Sequence, residues 1–206
     1  MKTFNLITTT IILICFNSCK ENSIGNSGTK EFYPLSVGNY WNYQTVTFDS
    51  VGNVKSDSSF WVEKVIGDTT LNGEKCYFMK QSNSPDSWFI APYRNSPNGL
   101  IMQVDSSITK YLLVYKYPAT VNEMFSDSIK VIAVDETIST VAGNLKCMVY
   151  QRFYSTLHTD LPPGWLCTNT YVVPGFGKVR IDGFYSSDKT HLIKRVEYRL
   201  SDYIIN

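Results

Sequence analysis

A chain of 206 residues with 19 Lys plus Arg against 18 Asp plus Glu carries a net charge of +1, which excludes a general pull toward nucleic acid or anionic surfaces. Aromatic side chains make up 14% and charged ones only 18%, a composition that excludes intrinsic disorder and points to a folded, β-rich domain. The length suits one domain of roughly 150 to 200 residues, large enough to bury a core without disulfides.

Lys2 is the only charge ahead of an apolar run that holds Leu6, Ile7, Ile11, Ile12, Leu13, Ile14 and Phe16, and Ser18 places a small residue directly before Cys19. These are the charged, apolar and small-residue parts of a secretory signal, on a run too short and too Thr-rich for a bilayer span. Met1 to Cys19 resembles the bacterial lipobox, in which a peptidase cuts before a cysteine whose sulfur carries diacylglycerol. The resemblance implies that Cys19 is the lipidated residue. Phe16 and Asn17 depart from the Leu and the small residue usual at their positions, and Cys15 fits worse because Ile14 precedes it. The other reading is an ordinary secretory signal or an uncleaved anchor. A diacylglycerol and an amide-linked acyl chain such as palmitate bury many methylenes at ~0.8 kcal/mol each, enough for stable anchoring. Loss of Met1 to Ser18 removes one cation, leaving 18 Lys plus Arg against 18 Asp plus Glu.

Lys20 to Lys30 has no apolar periodicity and is rich in Gly, Ser and Asn, so it reads as a flexible linker. Its Lys20-Glu21 resembles, over two residues, the signal that sends some lipoproteins to the cell surface; a solvated spacer facing the periplasm fits equally. The folded part opens at Phe32-Tyr33-Pro34-Leu35, and from Tyr40 the chain is strands and turns. Tyr40 to Phe48 is aromatic and β-branched, Asp49 to Asn53 turns, and Ser58 to Ile66 is the next strand. Asn72-Gly73, between Phe60 to Leu71 and Glu74 to Gln81, predicts a type I′ hairpin, because both central residues of that turn need positive φ. Asn98-Gly99 predicts a second turn between Ser87 to Tyr93 and Leu100 to Val104, lengthened by Pro97. Tyr111 to Tyr117, Ile129 to Val134 and Thr137 to Val141 follow, and Ala142-Gly143-Asn144 turns the last of them into Leu145 to Tyr154. Ser155 to Gly164 is a loop, Trp165 to Val173 a strand and Pro174-Gly175 a break. Gly177 to Asp182 and Thr190 to Leu200 complete the set.

No stretch after residue 30 has helical periodicity, so short helices at most are expected, at Met124 to Ser128 or the C-terminus. The reading is all-β: a single domain of about ten to twelve antiparallel, meandering strands in a curled sheet or open barrel, with a β-sandwich as the alternative. The chain thus divides into a signal peptide at 1–18, a lipidated N-terminus and linker at 19–31, and a β-rich domain at 32–206.

Several segments together resemble a group of uncharacterised bacterial lipoproteins. They are Phe32-Tyr33-Pro34-Leu35 with Gly38, Tyr40, Trp41 and Tyr43; Leu112-Leu113-Val114-Tyr115 leading to Pro118-Ala119; the Thr137 to Tyr150 hairpin with Cys147; and Pro174-Gly175-Phe176-Gly177-Lys178-Val179. The resemblance implies a secreted, lipid-anchored antiparallel β domain and implies no activity. Asn144 stands where that group usually has Thr, and Cys76 where an aromatic is more usual.

With Cys15 removed and Cys19 acylated, Cys76, Cys147 and Cys167 remain in an oxidising compartment. Cys147 and Cys167 lie on consecutive predicted strands, so their disulfide leads by spacing; Cys76 with Cys147 is next, and three buried thiols acting as small apolar residues is the other reading. No Cys-x-x-Cys spacing and only two histidines argue against zinc. His158 beside Asp160 is the sole hint of a catalytic triad. Gly25-Asn26-Ser27-Gly28-Thr29 misses the nucleophile-elbow pattern at its last position, so no enzyme, cofactor or metal is expected.

Trp88, Phe89 and Tyr93 near one turn, with Trp165 by another loop, are candidates for stacking on sugar rings or lining an acyl-chain cavity; core packing is the competing reading. The function read from the sequence is a lipid-anchored module of the bacterial cell envelope, expected at the outer membrane facing the periplasm or the surface. Its role is structural or protein-interacting; the alternative is a glycan- or lipid-binding module. The expected partners are the membrane, through Cys19, and an envelope protein, glycan or lipid, with no nucleic acid.

Overall fold

Asn72 at φ 54° and Gly73 at φ 78° close the hairpin that the Asn-Gly pair predicts, and Leu71 faces Glu74 across it. This hairpin belongs to a computed structural model that describes residues 31–84, 87–103, 111–126, 128–155, 165–186 and 191–206. The strands are β1 (Tyr40–Phe48), β2 (Val54–Leu71), β3 (Glu74–Ser84), β4 (Ser87–Ser96), β5 (Gly99–Gln103) and β6 (Tyr111–Lys116). After these come β7 (Met124–Phe125), β8 (Ile129–Thr140), β9 (Gly143–Ser155), β10 (Trp165–Val173), β11 (Gly177–Ser186) and β12 (Ile193–Ile204).

All twelve form one antiparallel sheet in the order β6-β5-β4-β3-β2-β1-β12-β11-β10-β9-β8-β7. Every neighbour in the sheet is a neighbour in the chain except the pair β1 and β12. The first and last strands therefore join the two halves of the meander. The free edges, β6 and β7, curl back to meet each other, and the sheet becomes a nearly closed barrel with one seam. Side chains stitch that seam where a ladder is missing: Ser126 Oγ donates to Leu113 O at 2.8 Å, Tyr150 OH donates to Lys116 O at 2.6 Å, and Lys116 pairs with Glu123. Curling in this way hides edges that would otherwise pair with other chains.

Asn98-Gly99 makes a tighter turn than Pro97 suggests, because Ser96 already faces Gly99 and only Pro97 and Asn98 are left between them. Gly99, at φ 119°, admits no side chain, since a Cβ there would lie 2.0 Å from Tyr115 O. Ile129 to Thr140 is a single bulged strand where two short ones were expected. The short helix considered at Met124 to Ser128 is replaced by β7. Positive φ at Asn122 and Ser126 breaks any helical turn, and Phe125 pairs with Ile129. No helix is present among the described residues.

One end of the barrel is plugged. Phe32 stacks on Tyr117 with ring centres 4.8 Å apart, and the Tyr33 ring lies 5.3 Å from Trp41. Tyr33 N donates to Asn95 Oδ1 at 2.9 Å, Asn95 Nδ2 returns a bond to Tyr33 O at 2.7 Å, and Gly175 N donates to Phe32 O at 2.9 Å. The N-terminal segment thereby satisfies its own backbone while closing the barrel floor. Phe48, Ser84, Gln103, Ser155 and Ser186 end their strands at the opposite end, which is the mouth.

Candidate functional site

In β2, Trp61, Glu63 and Val65 lie on one face of the strand by simple alternation, which carries a carboxylate into the barrel. Glu63 is fully buried and lies beside the buried Lys178 of β11. Its Oε1 accepts from Lys178 Nζ at 2.6 Å and from Gln81 Nε2 at 2.7 Å. Oε2 accepts from Tyr33 OH at 3.1 Å and lies 3.3 Å from Tyr43 OH, whose shorter bond, 2.9 Å, goes to Lys178 O. The ammonium of Lys178 also sits 4.2 Å above the Trp61 ring. The network is charge-neutral and saturated, as a buried ion pair must be. Burial, and then the charge of Glu63, push the Tyr33 and Tyr43 hydroxyls well above the usual tyrosine value. Both remain neutral donors.

Above this floor a cavity of about 350 Å³ runs toward the mouth. Phe89, Met102, Val114 and Ile129 supply its apolar wall, while Tyr93, Tyr115 and Tyr150 present rings and hydroxyls. Burial raises all three of these tyrosines as well. A second lobe of about 440 Å³ shares Gln81, Phe89, Thr168 and Ile181 with the first and continues to Trp61 and Tyr198. The size is that of a small-molecule pocket, and an apolar wall with a few convergent polar groups is the usual make-up of one.

The candidates named from the sequence distribute unevenly. Tyr93 is buried and lines the cavity. Trp88 does not: it is 43% exposed on the outer face of β4, with Lys80 Nζ 3.4 Å above its ring. Its neighbour Phe89 lies on the inner face, because successive residues of a strand face opposite sides, and lines the cavity while remaining 53% exposed. Trp165 opens β10 between Ser155 and Ser186 at the mouth, and its side chain lies outside the described residues, as do Cys19 and His158. Glu63, Lys178, Arg152, Tyr115 and Tyr150 were not singled out. For Glu63 the signal was present, a lone carboxylate on the Trp61/Val65 face of a predicted strand. Lys178 sits next to a bulge between Tyr171 and Val172, which alternation alone does not place.

The Cys147–Cys167 disulfide is corrected: Cys76, Cys147 and Cys167 are buried free thiols. The register sets Cys167 opposite Phe153, six positions along β9 from Cys147. That is roughly 20 Å at ~3.3 Å per residue, far beyond the ~4.4–6.8 Å between Cα atoms of a disulfide. Burial pushes the Cys147 thiol up to about 12 and the Cys167 thiol to about 11, which suppresses the reactive thiolate. In the folded mature protein, alkylating reagent at mildly alkaline pH is expected to leave these three thiols unmodified, and denaturation to expose all three. Intact mass counts the adducts; a mass gain on reduction alone would restore the disulfide.

A larger hollow, about 670 Å³, lies on the outside between the β8–β9 tip and Gln44, Arg180, Glu197 and Arg199. Its charges answer one another. Asp182 and Glu197 are bonded by Arg180, Lys194 and Arg199. Burial works against ionisation of Glu197, yet bonds from Arg199 and Lys194 hold its carboxyl below the usual range. The cations are thus already engaged.

Among the described residues no cluster of three or more His, Cys, Asp or Glu side chains suits a metal ion. The fold and cavity define a meandering β-barrel with an interior pocket. No protein-family model matches the chain, and no curated protein does. Two solved structures share the fold. A protein described as exported, with a YmcC-like fold, from Bacteroides fragilis NCTC 9343 superposes with a TM-score of 0.56 at 11% identity, covering 85% of this chain and 100% of its own. A protein described as a lipoprotein, from Parabacteroides distasonis ATCC 8503, gives 0.51 at 14% identity, covering 86% and 100%.

Proposed function

We propose that this protein is a lipid-anchored lipoprotein of the bacterial cell envelope that binds a small amphipathic molecule inside its barrel. The interior cavity carries the reading: its tyrosines, aliphatic side chains and buried Lys178 offer an apolar wall with fixed polar groups. The lipobox-like stretch ending at Cys19, and fold neighbours described as exported and as a lipoprotein, support the envelope address.

The plug adds an orientation. The chain enters the barrel at the closed floor, so a tether from Cys19 brings that end to the anchoring membrane. The mouth then faces away from the anchoring leaflet, toward ligands arriving from the aqueous side. Cys19→Ala is expected to yield an unacylated precursor that leaves the detergent phase on phase partitioning; unchanged partitioning would refute attachment at Cys19.

Filling the cavity tests the binding. Val114→Trp in the full chain, held in phosphatidylcholine nanodiscs, is expected to weaken octan-1-ol binding by about tenfold or more, an energy of about 1.4 kcal/mol. Calorimetry against empty discs reads it, with thermal melting as the check on folding. Equal affinity in a folded Val114→Trp protein would place the probe outside the barrel and end the proposal.

A further inference from the structure

Two cations line the cavity, Lys178 at the floor and Arg152 nearer the mouth, and no carboxylate joins them in its lining. The charge of Lys178 is matched by Glu63 at 2.6 Å behind the wall. Arg152 has no such match: among the described residues no carboxylate lies within ion-pair distance, and its guanidinium contacts the Tyr154 ring at 5.7 Å. It stands on β9 between Tyr150 and Tyr154, opposite Ile129 on one side and Thr168 on the other. A half-buried guanidinium in an aromatic pocket presents a fork of donors suited to a carboxylate or phosphate oxygen.

Resting on the cavity-binding reading above, we infer that the ligand is an anionic amphiphile whose charged group is received by Arg152 while its apolar body lies along Phe89, Met102, Val114 and Ile129. The volume of about 350 Å³ sets its size. At ~30 Å³ per heavy atom, taking the share of a liquid water as the measure, the first lobe holds about a dozen atoms. A chain of eight carbons with a small head fits. The Thr168 hydroxyl, across from Arg152, is placed to bond a second oxygen of the head.

Octanoate, octyl phosphate and octan-1-ol share one chain and differ in head group, so they separate charge from apolar burial. With the full chain in phosphatidylcholine nanodiscs, both anions are expected to bind about tenfold tighter than octan-1-ol. Tighter binding of one anion than the other assigns the head as carboxylate or phosphate. Arg152→Met is expected to remove the preference, bringing the affinities of both anions down to that of octan-1-ol for the same variant, and Arg152→Lys to keep part of it. Equal binding of all three probes, or an anion preference that survives Arg152→Met, overturns the assignment to Arg152 and leaves the cavity reading standing. Absence of octan-1-ol binding in the wild type removes the cavity reading, and this inference with it.

Discussion

Lys178→Met is expected to lower stability by about 3–5 kcal/mol, because it leaves the Glu63 carboxylate fully buried without its counter-charge. For a domain of this size that is a fall of roughly 10 °C in melting temperature. Gln81, Tyr33 and Tyr43 still face the carboxylate, but neutral donors do not replace a cation at 2.6 Å. The double variant Glu63→Gln with Lys178→Met removes both charges and keeps a side chain that accepts from Gln81. It is expected to recover about half of the loss or more, since exchanging a whole buried pair for neutral groups is often close to neutral. Thermal melting of the four proteins in the cycle measures this. If the double variant is no better than Lys178→Met, the pair is not the reason for the loss and packing of the Lys178 stem is.

Trp41→Ala is expected to cost about 3–5 kcal/mol as well, through lost burial and the cavity left behind. Trp41 is fully buried, its Nε1 donates to Phe176 O at 2.9 Å, and its ring lies against Tyr33 and Gly177. It is the strand residue on which the N-terminal plug rests. Its loss should therefore loosen residues 31–38 ahead of the barrel, and chymotrypsin is expected to cut after Phe32 in the folded variant while sparing the wild type. Trp41→Phe separates the two effects: it keeps most of the packing and leaves Phe176 O unbonded, a loss of about 1–3 kcal/mol. Urea unfolding gives the stabilities. A variant that unfolds at wild-type urea concentration would show that the plug is held by the Asn95 and Gly175 bonds instead.

The strands were legible because their signals are local. Alternating β-branched and aromatic residues mark β1 and β2, and Asn72-Gly73 marks their hairpin partner through the φ values an L residue other than Asn rarely adopts. The tight turn at Pro97-Asn98 was less legible, because what enforces it is distant in the chain: Gly99 must pass beneath Tyr115 O. In β9 the residues Cys147, Met148, Val149 and Tyr150 are all buried, so both faces of that strand are covered and alternation carries no information there. The same blindness left Trp88 and Phe89 side by side as candidates, although only Phe89 lines the cavity. Composition marks a cluster of aromatics, but the face each one takes depends on which side of β4 becomes the inside.

By itself the sequence determined the class of fold and the succession of strands along the chain. Each of these is a property of neighbours in the chain. The tertiary structure alone decided that the meander closes by pairing β1 with β12, and that its seam falls between β6 and β7. Closure brings Glu63 and Lys178, far apart in sequence, within 2.6 Å, and it turns Phe89, Tyr115, Tyr150 and Arg152 toward one cavity. The physical reason is that a strand's pattern tells which residues share a face, while curvature and register of the whole sheet decide which face encloses space.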